Sequence, residues 1–343
     1  MTMTQLDPAG APLLHIFLLT YNREKSLRRT LEVIASCALR EHPLTIMDNC
    51  SPDGTPALCE EFRPLLPLLE VRRHTRNIGF GANFLRSLEL SRGEYTWVLC
   101  DDDTLFPEQA PVLIDLLRTH RPQACFIGGP RQDDWPAGVA VSPREIQDKL
   151  GTFLTGQSFV PAAVFKSSLI TSLELVEGYF GIRTNYPQLV LGRKLLEGDI
   201  PCAVLRPPLL RRDDPAEKSH NPMDGFDGWA TFCRTLPAAE RRRAFYSVFV
   251  QQNVLGMMKE VLRMAMWGRI DANADPAFHI ARISVCAPWE ARPALLLCRL
   301  ACLVPGSFYN AAREAYRKVK YGWLRRPLPA TYHVPVVQDN LRR

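Results

Sequence analysis

A chain of 343 residues, 46% hydrophobic and 23% charged, can bury a substantial core and fits one large domain with an appendage, or two domains. No apolar run reaches the ~20 residues that span a bilayer, Met1 to Pro12 lacks the basic and apolar regions of a secretion signal, and the ten cysteines include no CxxC pair. These features argue against a membrane-spanning protein, a disulfide scaffold and a zinc module, and point to a reducing, cytoplasmic compartment. The net charge of +6 is uneven: Arg241 to the end holds 17 Lys and Arg against 6 Asp and Glu, or +11, which leaves −5 for the first 240 residues. Such a tail suits an anionic surface.

The first 130 residues alternate strand and helix. Leu13 to Leu19 is an apolar strand ending at Thr20-Tyr21-Asn22-Arg23, and Glu24 to Leu39 is a helix with Leu27, Leu31 and Ile34 on one stripe. Leu44 to Met47 is a strand ending at Asp48. The loop Asn49-Cys50-Ser51-Pro52-Asp53-Gly54 is dense in turn formers, and Thr55-Pro56 opens a helix. A short strand covers Leu69 to Arg73. The Asn77 to Asn83 loop then opens a helix, with Gly93 expected just past its end. Tyr95 to Cys100 reads as a buried strand that delivers Asp101, Asp102 and Asp103 to its C-terminal end. A helix from Pro107 to His120 and a strand from Ala124 to Ile127 follow.

After Pro130 the rhythm breaks. The stretch through Gly156 reads as loops, followed by a strand over Phe159 to Phe165, helices over Ser167–Val176 and Pro187–Glu197, and a strand within Pro201 to Leu210. One long helix is expected from Glu240 to Trp267 and another from Ala294 to Tyr321, interrupted at Pro305-Gly306. This order predicts an α/β fold, a doubly wound, mostly parallel sheet over residues 1–235 and a basic, mainly helical region over 236–343.

Ligands of open α/β sheets bind outside the carboxyl ends of the strands. There the chain places Thr20 and Tyr21, Asp48, the Asn77 loop and three consecutive aspartates. Carboxylates massed in this way repel one another. A divalent cation with oxygen ligands, Mg²⁺ or Mn²⁺ bridging to phosphates, offsets them. Gly79-Phe80-Gly81-Ala82-Asn83-Phe84 lacks the third glycine of a dinucleotide fingerprint, and there is no P-loop.

Four segments in order, Thr20–Arg23, Asp48–Thr55, Asn77–Asn83 and Asp101–Asp103, resemble the motifs of family 2 glycosyltransferases with the GT-A fold, over about residues 13–120. The resemblance implies a metal-dependent, inverting transfer of a sugar from a nucleotide-sugar donor to a saccharide or lipid-linked acceptor. It assigns nucleotide binding to Thr20, Tyr21, Asn22, Arg23, Asp48, Asn77, Gly79, Asn83, Asp101 and Asp102. Asp48 matches the acceptor of the nucleobase ring N–H, Asp101 the acid on the ribose side and Asp103 the metal ligand. Asn49 stands where the family often has a second acid, and its amide can still donate or accept. Tyr21 either stacks on the base or packs the turn. Asn77, Gly79 and Gly81 allow close backbone approach, whereas Asp53-Gly54 reads as a turn and helix start. His220 is a candidate for completing the metal shell.

The family's general base comes from an acidic pair at a helix start in the second half of the domain. Here Asn185-Tyr186-Pro187-Gln188 carries no acid. Asp133 and Asp134 are base candidates, with Asp213 or Asp214 as alternatives. The missing pair keeps a non-catalytic glycosyltransferase-like scaffold open as a rival. A nucleotidyltransferase is the rival enzyme, although Thr20–Arg23 is not its glycine-rich loop.

In the C-terminal region, Arg317–Arg326 interleaves bases with aromatics. Ala294–Val304 is apolar except for Arg299, and suits either a membrane interface or a helical core. No nucleic-acid module is visible. The tail is expected at an anionic membrane, on the inner face, consistent with transferases of bacterial surface polysaccharides.

Overall fold

The computed structural model describes residues 10–129, 132–211, 222–249, 251–268 and 276–303. Contacts divide the chain into two compact units, Met1–Asp214 and Pro215–Arg343.

The first unit holds strands β1 (Leu14–Thr20), β2 (Leu44–Asp48), β3 (Leu69–Arg73), β4 (Tyr95–Cys100), β5 (Thr104–Leu105), β6 (Ala124–Phe126), β7 (Gly138–Val141), β8 (Ala163–Lys166), β9 (Cys202–Val204) and β10 (Leu210–Arg211). Its helices are α1 (Glu24–Ala35), α2 (Thr55–Phe62), α3 (Phe80–Glu89), α4 (Ala110–His120), α5 (Pro143–Leu150), α6 (Phe153–Gly156), α7 (Ser172–Phe180) and α8 (Leu189–Glu197). Eight strands form one sheet in the order β3-β2-β1-β4-β8-β6-β9-β7, while β5 and β10 pair separately. β1 to β4 are mutually parallel, β8 runs antiparallel to both β4 and β6, and β7 runs antiparallel to β9. β1 lies between two parallel neighbours and is buried along its whole length, as its unbroken apolar run requires.

His15 is the polar residue inside β1. Its Nδ1 accepts from the Arg92 backbone N–H at 3.2 Å, which leaves Nε2 to donate to Thr45 Oγ1 at 2.9 Å. The α1 stripe Leu27, Leu31 and Ile34 packs against Ile16, Leu18, Trp97 and Leu99 in the main core. Asp53 caps two helix starts, accepting from the Glu24 N–H at 2.9 Å and the Thr55 N–H at 3.2 Å, as the turn reading expects.

Several bounds differ from expectation. α1 stops at Ala35, and a short 3₁₀ turn covers Ala38–Glu41. Gly93 is not a helix cap: a Cβ there would lie 2.7 Å from the His15 nitrogen and the Tyr95 carbonyl oxygen, so it permits chain contact beside β1. Pro161 falls in a 3₁₀ turn, and strand pairing begins only at Ala163. The stretch expected to be loops contains β7 and α5.

The second unit holds α9 (Pro222–Cys233), α10 (Ala238–Ser247), α11 (Val254–Gly268), α12 (Pro276–Cys286) and α13 (Arg292–Ala301). The expected long helix from Glu240 is thus two. Gln252 takes a left-handed conformation (φ 48°), and Asn253 Oδ1 accepts from the Gly256 N–H at 2.8 Å, which restarts the helix. Among the described residues no helix is long and apolar enough to cross a membrane.

Candidate functional site

Parallel register aligns four strand ends on one rim. Thr20 lies opposite Asp48, Asp48 opposite Arg73 and Leu19 opposite Cys100. The loops that leave these positions carry the candidate residues.

The aspartate turn after β4 is tied to the β1 loop. Thr20 Oγ1 donates to Asp101 Oδ2 at 2.6 Å, and Arg23 donates to Asp101 Oδ1 at 3.2 Å and also to Asp102 Oδ2. From α1, the Thr30 hydroxyl donates to the Asp101 carbonyl at 3.2 Å. Asp101 is 2% exposed. Burial pushes its carboxyl up to about 6, against the pull of Arg23 and Thr20 in the other direction. Asp101 therefore faces inward and fixes the turn, while Asp102 and Asp103 stay partly exposed.

Atoms of Cys100, Asp102 and Asp103 that can hold a metal lie within 4.8 Å of one another. Burial, reinforced by the three aspartates, pushes the Cys100 thiol well above its ordinary range, and a soft sulfur donor matches a hard cation poorly. Two carboxylates remain as donors, an oxygen set that fits Mg²⁺ or Mn²⁺ better than softer metals. His220, Asp213 and Asp214 lie outside the described residues.

Asp48, at the end of β2, is 1% exposed. Its Oδ1 accepts from the Ser51 N–H at 2.8 Å, and its Oδ2 lies 3.6 Å from Arg73 Nε. Among the described residues no donor hydrogen-bonds to Oδ2. The Ser51 hydroxyl accepts from the Asn22 N–H, and the Ser51 carbonyl accepts from Arg73, both at 2.9 Å. Asn22 and Cys50 both take positive φ, 55° and 68°, in the two loops that the Asn22–Ser51 bond joins. Tyr21 is 40% exposed beside them.

Two asparagines turn inward. Asn49 Oδ1 accepts from the Ile78 N–H at 2.9 Å, and its Nδ2 donates to Asn77 Oδ1 at 2.8 Å; that oxygen also accepts from the Gly79 N–H at 2.8 Å. Asn83 Nδ2 donates to the Met47 carbonyl at 3.0 Å, and its Oδ1 pairs with His74 Nε2 at 2.9 Å. Asn83, expected at the nucleotide, is buried with both amide ends bonded inside the chain. Gly79 has φ +82°, and a Cβ there would meet nothing within 4 Å, so this loop apex is open. Gly81 differs: its Cβ would come 2.9 Å from Ile182 Cγ1 and 3.7 Å from Pro187 Cγ, so its close contact is with the segment before α8.

That segment holds Gln188, whose Nε2 donates to the carbonyls of Gln157 and Ser158 at 3.3 and 3.1 Å. Asp133 and Asp134 lie in an exposed turn between buried Gln132 and Trp135. Asp133 is 91% exposed and stands 3.9 Å from Arg206. Sequence reasoning overlooked Ser51, Arg73 and His74. The one available signal was the cationic end of a short strand beside Asp48.

Residues 15–170 match the model of the family described as glycosyl transferase family 2. Abequosyltransferase RfbV of Salmonella typhimurium is 33% identical over 98 residues, 27% of this chain and 29% of that protein. Uncharacterized protein Rv1520 of Mycobacterium tuberculosis is 36% identical over 92 residues, 26% of each chain. The aligned stretches thus span less than a third of these curated relatives. Among solved structures, TarS 1-349 of S. aureus superimposes with a TM-score of 0.53 at 18% identity, over 90% of this chain and 92% of that one. Its complex with UDP-GlcNAc gives 0.52 at 17% identity, over 90% and 93%. At these identities the likeness establishes the fold, which is the expected GT-A arrangement.

Proposed function

With residues 15–170 matching the model of glycosyl transferase family 2, we propose that the protein is a metal-dependent, inverting glycosyltransferase that moves a hexosyl or deoxyhexosyl group from a nucleotide sugar to a saccharide or lipid-linked acceptor, in the synthesis of cell-surface polysaccharide. The observation that carries this reading is the buried Asp48 Oδ2, which takes no hydrogen bond from the described residues, on the same rim as Asp102 and Asp103. β1 alone separates β2 from β4, so the two features lie roughly 10 Å apart by strand spacing. A nucleoside diphosphate bridges such a gap: its base N–H donates to Asp48 and its phosphates reach the aspartate turn. Asn77 and Gly79 present open backbone beside the base, and Tyr21 is exposed enough to lie against it.

Asp103 and Asp102 would hold Mg²⁺ or Mn²⁺, which when bound offsets charge on the departing diphosphate. The chain's own part is to position and deprotonate. Arg23 and Thr20 hold Asp101, and through it the turn that presents Asp102 and Asp103. We assign the base to Asp133 or Asp134 in the turn after β6, since no acid stands at Asn185–Gln188. A base there removes the proton from the acceptor hydroxyl as it attacks the anomeric carbon, an effect worth ~10²–10⁴ in rate.

The test is a thermal-shift screen of nucleotide sugars with and without Mn²⁺. A ligand at 100 times its Kd stabilises the fold by ~2.7 kcal/mol. Asp103→Asn should keep the unliganded melting temperature and lose the Mn²⁺-dependent part of the shift. An unchanged Mn²⁺-dependent shift in that variant would remove Asp103 from the metal shell. The missing helix-start acids favour a second reading, a non-catalytic scaffold. It predicts nucleotide binding without sugar transfer, and Asp133→Asn and Asp134→Asn variants indistinguishable from the parent.

The basic balance after residue 240 supports an enzyme that meets its acceptor at an anionic membrane surface, on the cytoplasmic side.

A further inference from the structure

Helix α13 is apolar around most of its circumference. Leu295 and Cys298 are fully buried, and the Cys298 thiol approaches the Met258 carbonyl of α11. The opposite side is apolar too: Leu296, Leu297, Leu300 and Leu303 are 57%, 60%, 51% and 76% exposed. At 100° per residue, Leu303, Leu296 and Leu300 occupy a 60° arc, with Leu297 another 60° along and Arg292 and Arg299 together at the other edge. A surface helix of a soluble unit normally keeps this face polar, so exposed leucines in register mark an interaction face.

We propose that this face of α13 docks on an anionic lipid bilayer, with the leucines entering the headgroup–acyl boundary and Arg292 and Arg299 reaching lipid phosphates. The inference rests on the membrane reading above and names the surface that serves it. Charge selects the occupant. Arg292 to Leu303 contains no acid, and the nearest, Glu290, already pairs with Arg242. The residues after Leu303 add eight Lys and Arg against two acids, so the sequence that follows the face is basic. A second copy fits poorly, because two-fold pairing would set the Arg292–Arg299 edge beside its own copy (antiparallel) or beside the Leu297 edge (parallel), with no acid on the helix to meet it in either case. Trp289, 79% exposed just before the helix, is a residue type enriched at bilayer interfaces. The helix is far too short to span, so the geometry is that of an interfacial anchor.

The experiment is vesicle co-sedimentation of the full chain, with phosphatidylcholine vesicles that contain or lack phosphatidylglycerol, at low and high salt. The wild type should bind the anionic vesicles. Leu296→Ser combined with Leu300→Ser should weaken that binding by about tenfold or more at either salt concentration, since two half-exposed leucines no longer enter the lipid. Arg292→Gln with Arg299→Gln should weaken low-salt binding to anionic vesicles and leave high-salt binding unchanged. Because the substituted side chains are already exposed, circular dichroism and melting should match the parent. The proposal is overturned if the wild type ignores anionic vesicles at low salt or if the serine variant binds as the parent does. It is equally overturned if the leucines instead hold together a dimer that the serine variant dissolves. Soluble donor turnover, measured alongside, reports separately on the glycosyltransferase reading: lost lipid binding with intact turnover, or the reverse, separates the two.

Discussion

Replacing Asp48 with Asn isolates one atom of the proposed base pocket. The side chain keeps its size, and Oδ1 still accepts from the Ser51 N–H now at 2.8 Å, so the turn after β2 is held and the orientation of the amide is fixed. The group that replaces Oδ2 is then NH₂, a donor facing the base N–H that the carboxylate would accept. Loss of a hydrogen bond to a charged acceptor removes roughly 1.5–3 kcal/mol, which is about ten- to hundredfold or slightly more in Kd. Stability should move little. A buried carboxylate is costly to desolvate, and its partner Arg73 lies 3.6 Å away and is 44% exposed, so the lost ion pair is worth at most about 1 kcal/mol. Calorimetry of a panel of nucleoside diphosphates without metal is the direct assay, with chemical denaturation as the control. A Kd within twofold of the parent for every nucleotide, in a variant of unchanged stability, would refute the reasoning: the carboxylate would then only brace its own turn.

Arg23→Gln should leave Asp101 protonated at neutral pH, because burial already holds that carboxyl near 6 and the variant removes the cation that pulls it down. Difference infrared spectroscopy should show the new carboxylic acid, and its absence would mean that Arg23 is not what keeps Asp101 ionised. Gly128→Ala should destabilise the fold by more than about 2 kcal/mol, since the new Cβ, at φ +141°, would lie 2.1 Å from the Leu210 carbonyl oxygen; an unchanged urea midpoint would contradict the packing at the end of β6. His15 is held neutral by burial, with its folded value lowered from 6.5 to about 4, so its contribution is complete above pH 6.5 and declines as pH falls toward 4. The stability gap between the parent and His15→Asn should therefore narrow over that window by up to about 3 kcal/mol, and a constant gap would show that the imidazole is not buried neutral.

The central strands were legible because buried parallel strands leave unbroken apolar runs: β4 has the bounds that its sequence suggests, and β3 matches its expected bounds although it is a partly exposed edge strand. The rim was legible for the same reason, since parallel strands send their loops to one side. Individual polar residues were not. Asn49 and Asn83 are the residue types that a nucleotide site would use, and only the folded chain shows their amides bonded to Asn77, Ile78, Met47 and His74. Helix α5 could have been found. Ser142-Pro143-Arg144-Glu145 is a helix-start signature, and the Ser142 hydroxyl does accept from the Glu145 N–H at 3.0 Å. The break between α10 and α11 is harder to read, because Phe249 within it is buried and continues the apolar rhythm.

The asparagine pins beneath the rim bear on how readily this protein could change its donor. Asn49 joins the β2 loop to the Asn77 loop from both ends of its amide, and Asn83 fastens the next helix to β2 and His74. Loops ordered in this way during folding need little further ordering when a ligand arrives, which favours affinity and limits adaptation. An acid introduced at Asn49 would set a carboxylate against the Asn77 oxygen and lose the donor that holds it, so a new base preference could not come from that substitution alone. Variation in donor choice is more accessible at Tyr21, which is exposed and, among the described residues, tied to neither loop by a side-chain hydrogen bond, than at the pins that keep the pocket in shape.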